Sequence, residues 1–368
     1  MCTSMEHKVS AMTSPVNPKA HVVGLGLIGG SVARALTAGG WTVTGIDGNS
    51  DVSRQALELG IVTDTEPHSE TSLAFICTPA GVVAKVAESV LAQLTSPDLI
   101  VTDVAGVKAS IVEAVSDPRF IGGHPMAGSE MRGLEGSRAD LFTGCTWVLT
   151  PSEDTSADNY ARLHSILRDI GASVMALQPA DHDRMVAMAS HVPHLVSGAL
   201  MNEASTMAES DGALLRLAAG GFRDMTRISA GDPAIWPDIL FENAPAVLGG
   251  LRGIQDRLAR LTAILESGDR DNLLQNLATA AEARRHMPGR IAESSNLTEV
   301  RIPVPDRPGV LAEVTTLASN LQINIFDIEI AHSVEGSPGV LLLALEMADA
   351  STMAKALRDQ GFSVGGDV

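Results

Sequence analysis

Aromatic residues are scarce in this 368-residue chain, with seven Phe, three Trp and one Tyr making up 3%. Leu, Val, Ile and Ala must therefore do most of the packing. Cysteine is rarer still. Cys2, Cys77 and Cys145 are too few and too scattered for a disulfide framework or a Cys-based zinc site, and a reduced, cytoplasmic compartment is expected. Positive charge is also short: 26 Lys and Arg against 44 Asp and Glu give a formal net charge of -18. A phosphate backbone is bound by basic faces, so no nucleic-acid partner is expected. The same balance argues against adhesion to an anionic membrane. No apolar run approaches the length needed to span a bilayer. The opening "MCTSMEHKVSAMTSPVNPK" holds no apolar stretch that could serve as a signal sequence.

What is present is an ordinary globular balance, 45% hydrophobic and 19% charged, on a chain long enough for two or three domains. Residues 1–19 read as a flexible tail, polar and carrying Pro15 and Pro18. From Ala20 the pattern is strand, glycine turn, helix, strand, the start of a parallel sheet. Short apolar strands recur at "LAFICTP", "LIVTDVA", "RFIGGHP" and "TWVLTP". Residues 20–178 thus read as a doubly wound α/β domain of the Rossmann type. Residues 179–290 read as an all-helical domain, with Met185, Met188, Val192, Leu195 and Ala199 on one stripe and a glycine-rich break at Ala219 to Phe222. A linker is expected over 291–297, its signal being "PGRIAESSN". Residues 298–368 then follow the order β-α-β-β-α-β of a ferredoxin-like unit, with "EGSPG" as a turn and "FSVGG" as the last strand.

The glycine turn carries a specific chemistry. Gly24, Gly26 and Gly29 form G-x-G-x-x-G between a strand and a helix. The first permits a tight turn, the second lets a pyrophosphate approach the backbone, and the third lets helix meet sheet. Leu27 and Ile28 open the helix whose N-terminus faces those phosphates. Asp47 ends the second strand, eighteen residues after Gly29, where a carboxylate accepts from ribose hydroxyls and repels a 2′-phosphate. NAD is therefore expected over NADP. Thr78 and Pro79, in "CTPAG" after a later strand, are expected to contact the cofactor as well. A glycine turn that merely packs is the alternative.

In "RFIGGHPMAGSE" a single imidazole, His124, stands between two glycines and a proline. Gly122 and Gly123 allow a ligand to approach closely, and an imidazole near pKa ~6.5 accepts a proton at working pH. A loop histidine bonded to backbone is the other reading. "GGFRDMTRISAGDPAIW" crowds Arg223, Asp224 and Arg227 into an apolar region, as surface ion pairs or as a guanidinium fork for a carboxylate. In "SHVPH", Pro193 cannot donate to the carbonyl of Ala189, so a kink is expected between His191 and His194. These two read as hydrogen-bonding histidines rather than metal ligands, since no H-E-x-x-H or carboxylate cluster accompanies them.

Taken together, "GLGLIGGS", "TDVAGVK", "GGHPMAGSE", "HD" before "SHVPH" and "GGFRDMTRISAGDPAIW" resemble the prephenate dehydrogenase family, which includes arogenate dehydrogenases of tyrosine biosynthesis. The resemblance runs over about residues 20–290, and "PDRPGVLAEV" further on looks like an ACT domain. It implies NAD-dependent oxidative decarboxylation of prephenate to 4-hydroxyphenylpyruvate. His124 would be the catalytic base. Arg227 would bind a substrate carboxylate, His194 the side chain, and Ser129, Glu130, Lys108 and Trp236 would complete the substrate site. A homodimer through the helical domain is implied, as is an aromatic amino-acid effector at the ACT-like domain. One departure stands out: Gly106 occupies the place of the family's usual serine, so water or backbone must do the work of that hydroxyl. Three rivals remain: an arogenate dehydrogenase, another hydroxyacid dehydrogenase, or a regulatory amino-acid-binding protein with a degenerate body.

Overall fold

A computed structural model describes residues 17–128, 131–210, 213–231, 233–286, 297–305, 307–331 and 339–364. Two compact units emerge, one from residues 1–195 and 231–253, the other from 196–230 and 254–368. The first unit thus takes in stretches that the sequence pattern groups with the helical region.

Its sheet is built from β1 (Lys19–Val23), β2 (Thr42–Ile46), β3 (Leu73–Ile76), β4 (Ile100–Asp103), β5 (Phe120–Pro125), β6 (Thr146–Thr150) and β7 (Ser173–Ala176). The strand order is β2-β1-β3-β4-β5-β6-β7. The first five strands are parallel; β6 runs antiparallel to β5, and β7 is parallel to β6. Helices α1 (Leu27–Ala38), α2 (Ser50–Glu58), α3 (Ala80–Gln93), α4 (Ala109–Ala114) and α5 (Ala157–Asp169) alternate with the strands. β1 already begins at Lys19, inside the stretch that reads as tail.

The central strands read "LAFI" and "IVTD" without alternation because both sheet faces are covered, and every residue in them is buried. One face packs Val22, Leu36, Phe75, Leu149 and Trp147; the other packs Ile76, Val83, Leu99, Val101 and Val107. Each such Leu, Ile or Phe contributes about 1.5–3 kcal/mol by leaving water. The order reverses direction between β1 and β3, and ligands of open α/β sheets lie outside the carboxyl ends at such a switch point. Gly24 and Thr78 both sit there.

α6 (Pro179–Val186) opens on proline, whose missing N–H costs nothing at a helix start. A π-helical turn, Ala187–His191, joins it to α7 (Val192–Ser210), with the Val192 N–H donating to the Ala187 carbonyl. This turn takes the place of the expected kink at Pro193. It inserts a residue and breaks the stripe: Met185 and Met188 are exposed, while α6 buries His182, Asp183 and Val186. The polar pair points inward, contrary to the amphipathic reading.

α9 (Trp236–Glu242) and the start of α10 (Ala244–Ser267) complete the first unit. The second holds the rest of α7 and α10, α8 (Gly220–Thr226) and α11 (Arg270–Arg285). The glycine-rich break is therefore a short helix of its own. β8 (Leu297–Val304), α12 (Val310–Asn320), β9 (Asp327–Ala331), β10 (Gly339–Glu346) and α13 (Met347–Asp359) follow. Their antiparallel sheet has the order β8-β10-β9, the arrangement of a ferredoxin-like unit. The final strand expected in "FSVGG" does not form over the described residues Phe362–Val364; Phe362 and Val364 instead pack on the small core. The linker signal and most of "EGSPG" lie outside the described residues.

Candidate active site

The nucleotide cradle is built as its glycines require. Gly24 has φ +94°, and a Cβ there would sit 2.4 Å from the Cys77 carbonyl oxygen, so the turn after β1 touches the loop after β3. Around Gly26 there is nothing within 4 Å of a hypothetical Cβ, leaving an open approach to the backbone. No side chain caps α1, so its first N–H groups face that space. Asp47 accepts the Leu25 N–H at 2.7 Å and the Asn49 N–H at 2.8 Å, which aims its carboxylate across the cradle. Thr78 Oγ1 is buried without a hydrogen-bond partner among the described residues. Leu27 and Ile28 are half-buried in the first turn of α1, and Pro79 caps α3. An anion-binding turn, a carboxylate and an orphaned hydroxyl are the donor and acceptor set that a dinucleotide uses.

His124 lies near the carboxyl end of β5. Its glycine frame is explained by the protein itself rather than by a ligand. A Cβ at Gly123 would meet the Asp103 carbonyl oxygen at 2.6 Å, and one at Gly122 would meet Thr150 Oγ1 at 2.4 Å and Lys108 Cδ at 3.2 Å. β5 can lie this close to β4 at Gly123, and to β6 and the start of α4 at Gly122, only without side chains at those positions. Beneath it, Asp103 accepts from the N–H groups of Gly123 and Ala105, at 3.0 and 2.9 Å, and from the Lys108 ammonium. Lys108, expected in the substrate site, is fully buried in this pair. Burial lowers its pKa while Asp103 opposes the shift. It shapes the loop that carries Gly106 and is absent from the cavity wall.

A chain of hydrogen bonds runs from His124 into the protein. His124 Nδ1 lies 2.8 Å from His182 Nε2, and His182 Nδ1 lies 2.7 Å from Asp183 Oδ1. Asp183 also accepts the N–H groups of Lys108 and Ala109 at 2.7 and 2.8 Å, which ties α6 to the start of α4. Burial pushes the Asp183 carboxyl up, but the bonds from His182 and those two amides outweigh it and hold the pKa below its usual range. An ionised carboxylate only accepts, so His182 carries its proton on Nδ1 and accepts at Nε2. His124 must then donate from Nδ1, which leaves Nε2 with a free lone pair. Burial, followed by the neighbouring His182, Lys108 and His191, holds the His124 pKa well below 6.5. The imidazole is uncharged at neutral pH.

That lone pair borders a cavity of about 250 Å³. Its wall includes Gly106, His124, Val186, His191, Trp236 and Ile239. A Cβ at Gly106 would stand 3.8 Å from His124 Nε2, in ordinary van der Waals contact, so the glycine leaves open beside that nitrogen a space that a side chain would fill. His194 stacks on Trp236 with ring centroids 3.7 Å apart and planes 14° from parallel. His191 meets the same indole edge-on at 6.3 Å. Burial lowers the pKa of both histidines, with Asp183 opposing it at His191. Of the expected residues, His124 and Trp236 therefore line the cavity of the first unit, and His194 adjoins it through its stack on Trp236. Arg227 is exposed at the end of α8 in the second unit. Ser129 and Glu130 lie outside the described residues. Among the described residues, no group of three or more His, Cys, Asp or Glu is placed to hold a metal.

His182 and Asp183 entered the sequence reading only as the "HD" of the family resemblance, with no role assigned, and Asn243 was not singled out. Adjacent "HD" has no spacing signal, and beyond the resemblance its hint was two polar residues where an amphipathic helix should bury apolar ones.

A nucleotide cradle and an uncharged imidazole on one sheet edge define a class, the dinucleotide-dependent dehydrogenases. Comparison with known proteins narrows it. Residues 32–176 match the nucleotide-binding domain of prephenate dehydrogenases, and residues 178–279 match their dimerization domain. A prephenate dehydrogenase of Bacillus subtilis is 30% identical over 341 residues, 89% of this chain and 92% of that protein. A cyclohexadienyl dehydrogenase of Zymomonas mobilis is 34% identical over 72% of this chain and 94% of its own. The crystal structure of prephenate dehydrogenase from A. aeolicus with hydroxyphenyl propionate and NAD+ superposes with a TM-score of 0.69, at 28% identity, over 75% of this chain and all of that one. The chain belongs to the prephenate dehydrogenase family.

Proposed function

We propose that this chain is an NAD-dependent prephenate dehydrogenase of tyrosine biosynthesis, converting prephenate to 4-hydroxyphenylpyruvate and CO2. The observation that carries the reading is the free lone pair on His124 Nε2 at the cavity wall, held there by His182 and Asp183. Bound NAD supplies the hydride acceptor. Gly24, Gly26, Leu27, Ile28, Gly29, Asp47, Thr78 and Pro79 are the residues proposed to hold it.

As the carbinol C–H is lost as hydride, His124 Nε2 takes the hydroxyl proton and the C=O forms. The charge arising on His124 is stabilised through His182 by the Asp183 carboxylate. Cleavage of the C–COO⁻ bond releases CO2 and moves its electron pair into the ring, which becomes aromatic as a phenolate. The proton on His124 returns to that oxygen, so no net proton is consumed. Nothing in this sequence calls for a covalent intermediate.

The cavity-wall residues carry no cationic side chain. Arg227 is proposed as the carboxylate partner, with His194, Trp236, Ser129 and Glu130 as further substrate contacts. Arg227→Ala should raise KM at least tenfold while kcat changes little; an unchanged KM removes it from the site. A substrate with an amino group in place of the side-chain keto group is the second reading, favoured by the likeness to a cyclohexadienyl dehydrogenase. NADH formation from prephenate and from arogenate, measured in parallel, decides between them.

A homodimer is the proposed assembly, since the helices of the second unit expose Leu258, Leu265, Leu274 and Leu277. No described helix is long and apolar enough to cross a membrane, and the cytoplasm is the proposed location. The C-terminal sheet is proposed as an ACT-like regulatory module for an aromatic amino acid. Titration of activity with tyrosine, phenylalanine and tryptophan tests it, and no response to any of them rejects it.

A further inference from the structure

We infer that His191 is a second substrate-contacting imidazole, a neutral Nε2–H donor to a substrate oxygen, and that Asn243 is the positioning residue fixing that tautomer. The inference rests on the cavity being the substrate site, as proposed above. His191 is 2% exposed and sits in the π-helical turn, yet it lines the same cavity as His124. Asn243, 3% exposed, follows the last turn of α9. Its side-chain nitrogen lies 2.8 Å from the Asp183 carbonyl oxygen and 3.2 Å from His191 Nδ1.

The direction of these bonds can be worked out. A backbone carbonyl cannot donate, so the atom beside the Asp183 oxygen must be the NH2 of the amide. That group has a second hydrogen, and its neighbour is His191 Nδ1. Nδ1 is therefore an acceptor, and a neutral ring must then carry its hydrogen on Nε2. Burial keeps the ring neutral at working pH. Nε2 makes no hydrogen bond within the described residues, which leaves it for whatever fills the cavity.

The two cavity imidazoles are thus set to opposite polarity. His124 offers a lone pair through the Asp183 side chain; His191 offers an N–H through the Asp183 main-chain carbonyl and Asn243. One residue anchors both. An oxygen with a proton to lose and lone pairs to share fits such a pair, as does a carboxylate resting on the donor alone. A uniformly basic or uniformly donating wall would not suit the first of these.

Two substitutions separate donor from scaffold. The amide nitrogen of glutamine reaches the Nε2 position of histidine, whereas that of asparagine reaches only Nδ1. His191→Gln should retain kcat/KM for prephenate within about fivefold, while His191→Asn should lose about 10- to 100-fold. A loss in kcat places the donor on the reacting oxygen; a loss in KM places it on a carboxylate. Equal behaviour of the two variants, whether both active or both impaired, overturns the proposal. Nitrogen-15 shifts of the His191 ring give a readout that needs no turnover. They should report Nε2–H in the wild type and a mixture of tautomers in Asn243→Ala. An Nδ1–H ring in the wild type refutes the assignment even if the enzyme proves active. Inactivity toward prephenate with the Nε2–H tautomer intact counts against the proposed reaction alone.

Discussion

His124 is one residue, but its chemistry belongs to three. Asp183 sets the tautomer of His182, and His182 sets that of His124. His124→Asn should lower kcat by about 10²–10⁴ with KM for prephenate within about threefold, because it removes the base and leaves the wall standing. Asp183→Asn should come close to it in steady-state kinetics. An amide carries no charge to stabilise the cation arising on His124, and where its NH2 faces His182 Nδ1 it reverses both rings and puts the proton on His124 Nε2, where the lone pair was. Wild-type turnover in Asp183→Asn would show that the relay sets nothing. His124 drew notice through a glycine frame that serves packing between strands, and the relay was not legible from spacing, since no periodicity marks a doublet whose partner is 58 positions away. Lys108 was misread for a related reason: a conspicuous cation near a site looks like an anion ligand until its burial against Asp103 is seen.

A second buried histidine bears on stability. His21, in β1, bonds Thr44 Oγ1 at 2.9 Å, and burial lowers its pKa to about 4. The unfolded chain takes up a proton at His21 near pH 6.5 and the folded chain does not, so stability falls as pH drops from 6.5 towards 4. The linked loss is about 3 kcal/mol over that window, and above it His21 contributes no pH dependence. His21→Gln should therefore flatten the acid side of a Tm-against-pH curve; an unchanged slope would contradict the assignment.

At the scale of elements, the first six strands of the nucleotide sheet were readable because short apolar runs bounded by turn residues have few other uses, whereas β7 was not, its "SVMA" being half-buried or exposed throughout. The π-helical turn was not. Pro193 signalled a missing donor, but a kink and an inserted residue both answer that signal, and only packing around His182 and Asp183 selects the second. The glycine pair of β5 was noticed for a different purpose than the one it serves. Gly123→Ala would place a methyl 2.6 Å from the Asp103 carbonyl oxygen and 2.8 Å from Thr102 Oγ1. It should destabilise the protein by about 1–3 kcal/mol, read as a lower urea midpoint at unchanged m. His124 must move with the strand, so kcat should fall too. A variant as stable and as active as wild type would mean that β5 has slack.

For the molecule as a whole, the order of domains followed from changes in texture along the sequence, while the way helices are apportioned between compact units did not. Residues 231–253 fold with the nucleotide sheet although residues 196–230 of the other unit precede them. Light scattering should give about twice the 38.4 kDa chain mass, with exposed leucines of α10 and α11 covered in the dimer; a monomer at working concentration would leave those faces unexplained. The whole account turns on an uncharged His124. Its most direct test is kcat/KM for prephenate between pH 4.5 and 8. The burial-lowered pKa predicts a rate that holds down through pH 6.5, with its acid limb below that value and missing from the residual activity of His124→Asn. An acid limb at or above 6.5, or one that survives the substitution, would contradict it.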